Sequence, residues 1–525
     1  MKYTAIIAAM LLLAGASRLI MPGERPMHTD EAVHAFKFAR LLEKGIYIYD
    51  RKEYHGPTLY YLSLVPALIT PGKELASLEE GTLRGVTAIA GVALATLMLL
   101  LARFTGRRYA LAAVFMLAIS PALVYYSRYY IHETLLILFN AGAIISLFRY
   151  ARSGSTWWMV IAGIFAGLMI ATKETWVIPV AAQCLAFAII NVRHLRTPAA
   201  LRPAPVKIGA LQLAAFMLTT LIVAALFFSS FLANPEGITD SIRAFGSYFA
   251  RGTGATEHIH PWYYYLQLMV VNRCDTWFIR ADAWILAAGL AAVVMVLTGR
   301  TAGDRSHPVL MFAAISTILT GAIFFAIPYK TPWNILPFYT PLAILAAWFF
   351  LLLWGRSVRA GQRVICVAAA VLMVAHISWQ TFNDNFRTSH DPCNPWVYAH
   401  PGEDVRKIAA EVEKISATAP EGKSIHVEVI VPEHGYWPLP WYLREYPNTG
   451  WYEEADLSVP SAPLIICAPE SLTKLSRKLF EIPPPGRRHL YIPLMESDPE
   501  LRPGTNVTLY LRKDYWDRYM DSGLP

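Results

Sequence analysis

Eleven apolar runs, near residues 4–20, 80–102, 109–125, 133–150, 157–171, 175–191, 208–232, 281–298, 309–327, 335–354 and 364–379, constrain this chain more than any other feature. A bilayer core takes about 20 apolar residues per helix, so each run is long enough to cross or nearly cross it. Only 16% of the 525 residues are charged and 55% are hydrophobic, against roughly 25% charged in an ordinary soluble domain. The expected fold is therefore a polytopic α-helical membrane protein with about eleven spans. The net charge of +8 does not point to nucleic acid, because its cations sit largely in short loops between apolar runs. The first run follows Lys2, but Arg18, Met21 and Pro22 stand where small cleavage-site residues belong, which predicts an uncleaved anchor.

Sidedness follows from the loops. Arg103, Arg107 and Arg108, then Arg149 and Arg152, Arg193, Arg196 and Arg202, Arg300 and Arg305, and Arg356, Arg359 and Arg363 fall on one side. The opposite short loops hold single cations, Arg128, Lys173 and Lys330. The first set is expected in the cytoplasm, with the amino terminus inside. The long loops 21–79 and 233–280, the loops 125–133 and 328–334, and the tail then face outside. Pro57–Thr70 is too short to span and suits a helix lying at the interface, as does the aromatic stretch His260–Trp277. From residue 380 the chain alternates a helical stretch at 403–417 with short apolar strands (IHVEVIVP, APLIICAP, VTLYLRKDYW). The expectation is a membrane domain over 1–379 and an extracytoplasmic α/β domain over 380–525. Five scattered cysteines form no CxxC and no metal-ligand spacing, and predict no disulfide framework.

Polar residues of chemical interest collect on the outer side. HTDEAVHA puts Asp30 and Glu31 just beyond the first run, with Asp30 and His34 on one helix face. The competing reading is an ordinary helix start, with Thr29 as N-cap and two acids favoured by the macrodipole. Arg128, His132 and Glu133 enter a span in YYSRYYIHETLLILF, where ionisable groups are costly. An Arg128–Glu133 pair at the interface is the structural alternative there. Lys173-Glu174 reads as a local ion pair. Lys330 is pinned between Pro328 and Pro332 in YKTPWN, a setting suited to an anion such as a lipid phosphate. Among the tail aromatics, Trp437, Trp441, Tyr442, Trp451 and Tyr452 read first as a packed seam and second as a sugar platform.

These segments resemble a known superfamily. HTDEAVHA after the first span, YHGPTLYYL before an interfacial helix, HPWYYYL and YKTPWNILPFYTPLAIL are similar to motifs of the GT-C glycosyltransferases. The resemblance extends to the dolichyl-phosphate-mannose protein mannosyltransferases and the aminoarabinose transferases of lipid A. With the tail segment YWPLPWYLREY it is strongest to a flippase-activity-associated set linked to archaeal N-glycosylation. It implies transfer of a sugar from a polyprenyl-phosphate donor to a protein, lipid or glycan acceptor on the outer face, with inversion in one displacement. By this resemblance Asp30 is the general base, and Lys330, Arg128 and His55 contact the donor phosphate. Glu31 acts beside Asp30, orienting sugar hydroxyls as Glu133 does; a divalent metal held by these acids is the other reading, and no cofactor is otherwise implied. His34, Tyr54, Trp333 and Asn334 complete the substrate contacts. His55-Gly56-Pro57 departs from the aminoarabinose enzymes, which carry a lysine in that turn. The alternative function is a transporter or flippase of lipid-linked sugars. Transporters place ionisable groups near the midplane, whereas here they gather outside the spans.

Overall fold

The computed structural model describes residues 2–50, 55–70, 72–196, 208–253, 258–274, 278–304, 306–495 and 497–523. Tyr54, Arg202 and Arg305 lie outside these residues, and the side chains of Arg193 and Arg196 are not described. Every one of the eleven apolar runs carries helix. Among the described residues seven helices are long and apolar enough to cross a membrane, from Glu80–Thr105 to Ala360–Arg387. An eighth is a broken pair, Arg107–Ile119 and Pro121–Ser127, bent by 62°. Pro121 lacks the amide hydrogen that would continue the ladder, so the chain turns there. Three shorter apolar helices, Tyr3–Leu19, Thr156–Ile170 and Asp282–Leu297, account for the remaining runs. The chain is an integral, multi-pass membrane protein.

Helix contacts in the bundle depend on small residues, as apolar surface alone gives helices in lipid little reason to associate. Gly163 and Gly167, four apart, let Thr156–Ile170 sit directly on Ala210–Phe228. A Cβ on either would come within 2.6 or 2.7 Å of the backbone oxygens of Phe216 or Thr220.

Both long polar loops contain helices that do not span. Thr29–Lys44 and Thr58–Ala67 occupy the first, and Glu236–Thr253 and Tyr264–Val270 occupy the second. Glu236–Thr253 has no counterpart in the sequence reading. The Thr29–Lys44 helix buries Ala32, Ala35, Phe38 and Ala39 at helical spacing and stops at Gly45. Its N-cap is His28, whose ring accepts the Asp30 N–H at 3.0 Å; Thr29 is already helical. This corrects the expected Thr29 cap.

The tail forms a five-stranded mixed sheet. Its strands are drawn from β1 (Val427–Ile430), β2 (Thr449–Tyr452), β3 (Leu464–Cys467), β4 (Tyr491–Pro493), β5 (Glu500–Arg502), β6 (Thr505–Asn506) and β7 (Thr508–Arg512). The order is β2-β1-β3-β7-β4, the first three parallel and the last two antiparallel to their neighbours; β5 and β6 pair separately. β1 and β3 are buried along their whole length, as central strands covered on both faces must be. The helix Asp404–Thr418 packs into the core on one side.

Two of the connections between this tail and the loops of the bundle stand out. Cys274 and Cys393 form a disulfide, correcting the expectation of none. Their 119-residue separation hid it in the sequence. The second connection is YWPLPWYLREY. Trp441 is fully buried and donates to Glu80 at 2.9 Å. Tyr442 Oη accepts the Met27 N–H at 2.7 Å, and Trp437 meets Phe36 edge to face. These aromatics form a docking seam against the acid-bearing helix, and Trp451 and Tyr452 lie in the edge strand β2.

Candidate active site

Asp30 and Glu31 are adjacent in sequence and opposite in environment. Glu31 is fully buried and forked by Arg84, with both contacts at 2.7 Å. It also accepts the N–H of Tyr130 at 2.8 Å and of His28 at 3.1 Å, and Arg25 lies 3.7 Å away. Burial alone would raise its pKa. The Arg84 charge and fork, then Arg25 and the Tyr130 N–H, overcome that and hold it at about 2. Glu31 therefore clamps the start of its helix to the span carrying Arg84, and has no exposed surface to offer a sugar. Asp30 is half-buried, and among the described residues its carboxylate makes no hydrogen bond or ion pair. The fixed helix start thus leaves one carboxylate partly exposed.

Two other histidines cluster around His34 of the same helix. His34, one turn on from Asp30, lies 4.7 Å from His132 and 5.9 Å from His55, between ring centroids. His132 bonds the Gly56 carbonyl at 3.0 Å, and His34 bonds the Tyr60 hydroxyl at 3.0 Å. His55 has a left-handed φ of +88°, and Glu174 holds it by both the backbone N–H and Nδ1, each at 3.1 Å. Gly56 is required by contact. A Cβ there would meet the Ala171 carbonyl at 1.9 Å. The His55-Gly56-Pro57 turn is thus pressed onto the loop that carries Lys173 and Glu174.

That loop holds what the sequence reading underrated. Lys173 and Glu174 are both buried and pair with different partners. Lys173 forms a buried ion pair with Glu133 and reaches Asn334 Oδ1 at 3.5 Å. Glu174 takes His55 and the Tyr49 hydroxyl. The expected Lys173–Glu174 pair is replaced by contacts to other loops, because residues adjacent in an irregular turn point in different directions. Trp333 lies edge-on to His28, Tyr129 and Tyr398. His28 Nε2 bonds the Tyr398 carbonyl at 3.0 Å, and Tyr398 bonds His258 at 2.6 Å, so the tail supplies part of the wall. Tyr398 and His258 carried no motif signal.

Two expected phosphate ligands also bond backbone carbonyls. Arg128 donates to the carbonyls of Arg18, Ile20 and Met21 at 2.7–3.2 Å and stacks on Phe386. It caps the end of the first helix, and Glu133 is not its partner. Lys330 donates to the carbonyls of His260, at 3.2 Å, and Ile327. Its own N–H bonds His258 O at 2.9 Å, which joins it to the Tyr398 wall. Among the described residues no group of three or more His, Cys, Asp or Glu side chains is placed to hold a metal ion.

The histidines give a pH prediction. Burial, then the nearby charges of His55, Lys37 and Lys173, pushes His34 well below its ordinary value; His132 and His400 are pushed down in the same way by burial. A depressed pKa means that the unfolded chain binds protons the native state refuses. Stability is therefore fully present above about pH 6.5 and falls as pH drops below it. The thermal midpoint of the purified protein should decline between about pH 7 and 5; a flat profile would contradict the neutral cluster.

The bundle, the outer helices and the tail sheet together match solved proteins. ArnT from Cupriavidus metallidurans in the apo state aligns with a TM-score of 0.63 at 14% identity, over 96% of this chain and 97% of that one. Its structure bound to undecaprenyl phosphate aligns at 0.61 with the same coverage. The chain has the GT-C fold. The oligosaccharyltransferase of Archaeoglobus fulgidus, tethered to an acceptor peptide containing the NVT sequon, aligns at 0.53 with 13% identity. The chain is 86% covered in that alignment but spans only 63% of the archaeal enzyme. In sequence, the family model described as dolichyl-phosphate-mannose-protein mannosyltransferase matches residues 63–222. That segment contains Arg84, Arg128, Glu133 and Lys173. No curated protein matches the chain.

Proposed function

We propose that this protein is a membrane glycosyltransferase that moves a sugar from a polyprenyl-phosphate donor to an acceptor on the outer face of the membrane. The observation that carries the reading is Asp30. It is a half-buried carboxylate with no partner among the described residues, on a helix start fixed by the buried Glu31–Arg84 fork. A general base must be available and held in place, and Asp30 is both. Support also comes from the match to a mannosyltransferase family over 63–222 and from ArnT, whose structure holds undecaprenyl phosphate. The arginine bias of the opposite loops and the Cys274–Cys393 disulfide favour an extracytoplasmic site, where disulfides persist.

In the reaction, the acceptor hydroxyl gives its proton to Asp30 as its oxygen attacks the anomeric carbon. The bond from that carbon to the phosphate oxygen breaks, its electron pair leaves with the lipid phosphate, and the configuration inverts. Stabilising the departing charge falls to cationic and hydrogen-bond-donating groups set in a low-dielectric wall. Lys173, bridging Glu133 and Asn334, and His55, held by Glu174, are placed beside the Asp30 helix through His34. Lys330 spends two of its three N–H bonds on backbone carbonyls, which leaves one for the phosphate. Arg128 acts indirectly, by fixing the chain as it leaves the first helix. His34, Trp333 and Asn334 line the sugar's approach.

The test is the lipid fraction of a strain lacking the gene. Loss of a transferase leaves polyprenyl-phosphate sugar accumulated on the outer leaflet and the acceptor unmodified. Carrier trapped on the inner leaflet would replace this reading with that of a flippase.

A further inference from the structure

A cleft of about 590 Å³ lies beside the same helix, further from Asp30, and nothing in the transfer mechanism uses it. Its walls are the outer part of Thr29–Lys44, the extended stretch 46–50 and the amphipathic helix Glu236–Thr253. Four cations line it, Lys37, Arg40, Lys44 and Arg243, against two acids, Asp50 and Asp240. Arg243 lies 3.5 Å from Asp240, and among the described residues Lys37, Arg40 and Lys44 line the other wall. The extended stretch alternates with period two: Tyr47 and Tyr49 turn inward and are buried, whereas Ile46 and Ile48 are 42% and 73% exposed. Cations and exposed isoleucines thus share one recess between two helices that do not span.

We propose that this cleft binds the phosphate headgroup of an anionic lipid. Water-exposed isoleucines beside a cationic rim suit an amphiphile whose charge and chain are adjacent. A soluble polyanion would make no use of Ile46 and Ile48. Lys37 and Lys44 follow Asp30 by seven and fourteen residues, close to whole turns, so they share its side of the helix. The cleft therefore begins about 10 Å from Asp30 along the axis and runs to about 20 Å. Tyr49 in its wall bonds Glu174, the residue that holds His55. A lipid seated there lies next to the proposed site without occupying it. The inference does not depend on sugar transfer, because its test reads binding.

The full-length protein is reconstituted in nanodiscs of equal phosphatidylglycerol and phosphatidylcholine, and the lipids retained on release are counted by native mass spectrometry. Wild type should keep phosphatidylglycerol about tenfold over phosphatidylcholine. The triple variant Lys37→Gln, Arg40→Gln, Lys44→Gln should bring the ratio near one with the thermal midpoint unchanged. The charge-conserving variant Lys37→Arg, Lys44→Arg should keep the wild-type ratio, which separates charge loss from disruption of the helix. Inorganic phosphate added as competitor distinguishes the source: displacement of the lipid means that the phosphate group alone suffices, and resistance means that the isoleucine wall contributes. Equal retention of both lipids by wild type, or an unchanged ratio in the triple glutamine variant, overturns the proposal.

Discussion

Asp30→Asn should slow sugar transfer by about 10²–10⁴-fold, the usual worth of a positioned general base, while leaving the protein folded. The side chains are nearly isosteric, and among the described residues the Asp30 carboxylate has no hydrogen-bond or ion-pair partner to lose. The expected stability change is limited to the lost favourable charge in the first helical turn, about 0.3–1 kcal/mol. The measurement is turnover of a polyprenyl-phosphate sugar by purified full-length protein, with thermal midpoints of both forms recorded in parallel. A merely structural acid would give the opposite pattern, with stability falling and turnover per folded molecule kept. Full turnover by Asp30→Asn at an unchanged midpoint would remove Asp30 as the base.

Arg84→Met should be the most destabilising single change in the outer part of the molecule, at about 3–5 kcal/mol. The substitution keeps much of the volume but strands Glu31, which is fully buried and whose two oxygens both contact the guanidinium. It also frees the carbonyls of Pro22, Arg25 and Pro26, which Arg84 holds at 2.8–3.2 Å. Adding Glu31→Gln removes the stranded charge, so the double variant should recover part of the loss; the two residues are in direct contact and their effects do not add. The same pair has a pH signature. The folded carboxyl sits at about 2, below its ordinary value, so its contribution is complete above about pH 4.3 and is lost as pH falls toward 2. Thermal melts of the wild type and the double variant should converge in that acid window. If the single variant melts with wild type, the fork is not holding the helix.

The spans were legible because each is a local property: a bilayer demands a continuous apolar run, and all eleven runs carry helix. The short helix Thr58–Ala67 was equally plain, being apolar yet too short to cross. Glu236–Thr253 escaped notice because its apolar residues occupy one stripe among charges and leave no run. Within HTDEAVHA the sequence marked both acids, and only the resemblance gave Asp30 the leading role. What separates them is Arg84, 53 residues away in sequence and 2.7 Å away in space. Which groups the cations meet was hidden for the same reason. Lys330 and Arg128 look isolated in their loops, yet backbone carbonyls from other segments occupy them. Lys173 looked spent on its neighbour, and instead pairs across the site with Glu133.

Hydropathy and charge bias alone determined that this chain is a multi-pass helical membrane protein, and motif order pointed to the loops that hold its polar residues. Solvation is additive along a sequence, and a run of residues declares its preferred medium without reference to anything else. Which carboxylate is available, which cations are occupied, that Cys274 meets Cys393 and that YWPLPWYLREY seals the acid-bearing helix were decided only by tertiary structure. Each of those depends on a partner brought from elsewhere in the chain, and a buried polar group is defined by that partner rather than by its neighbours in sequence.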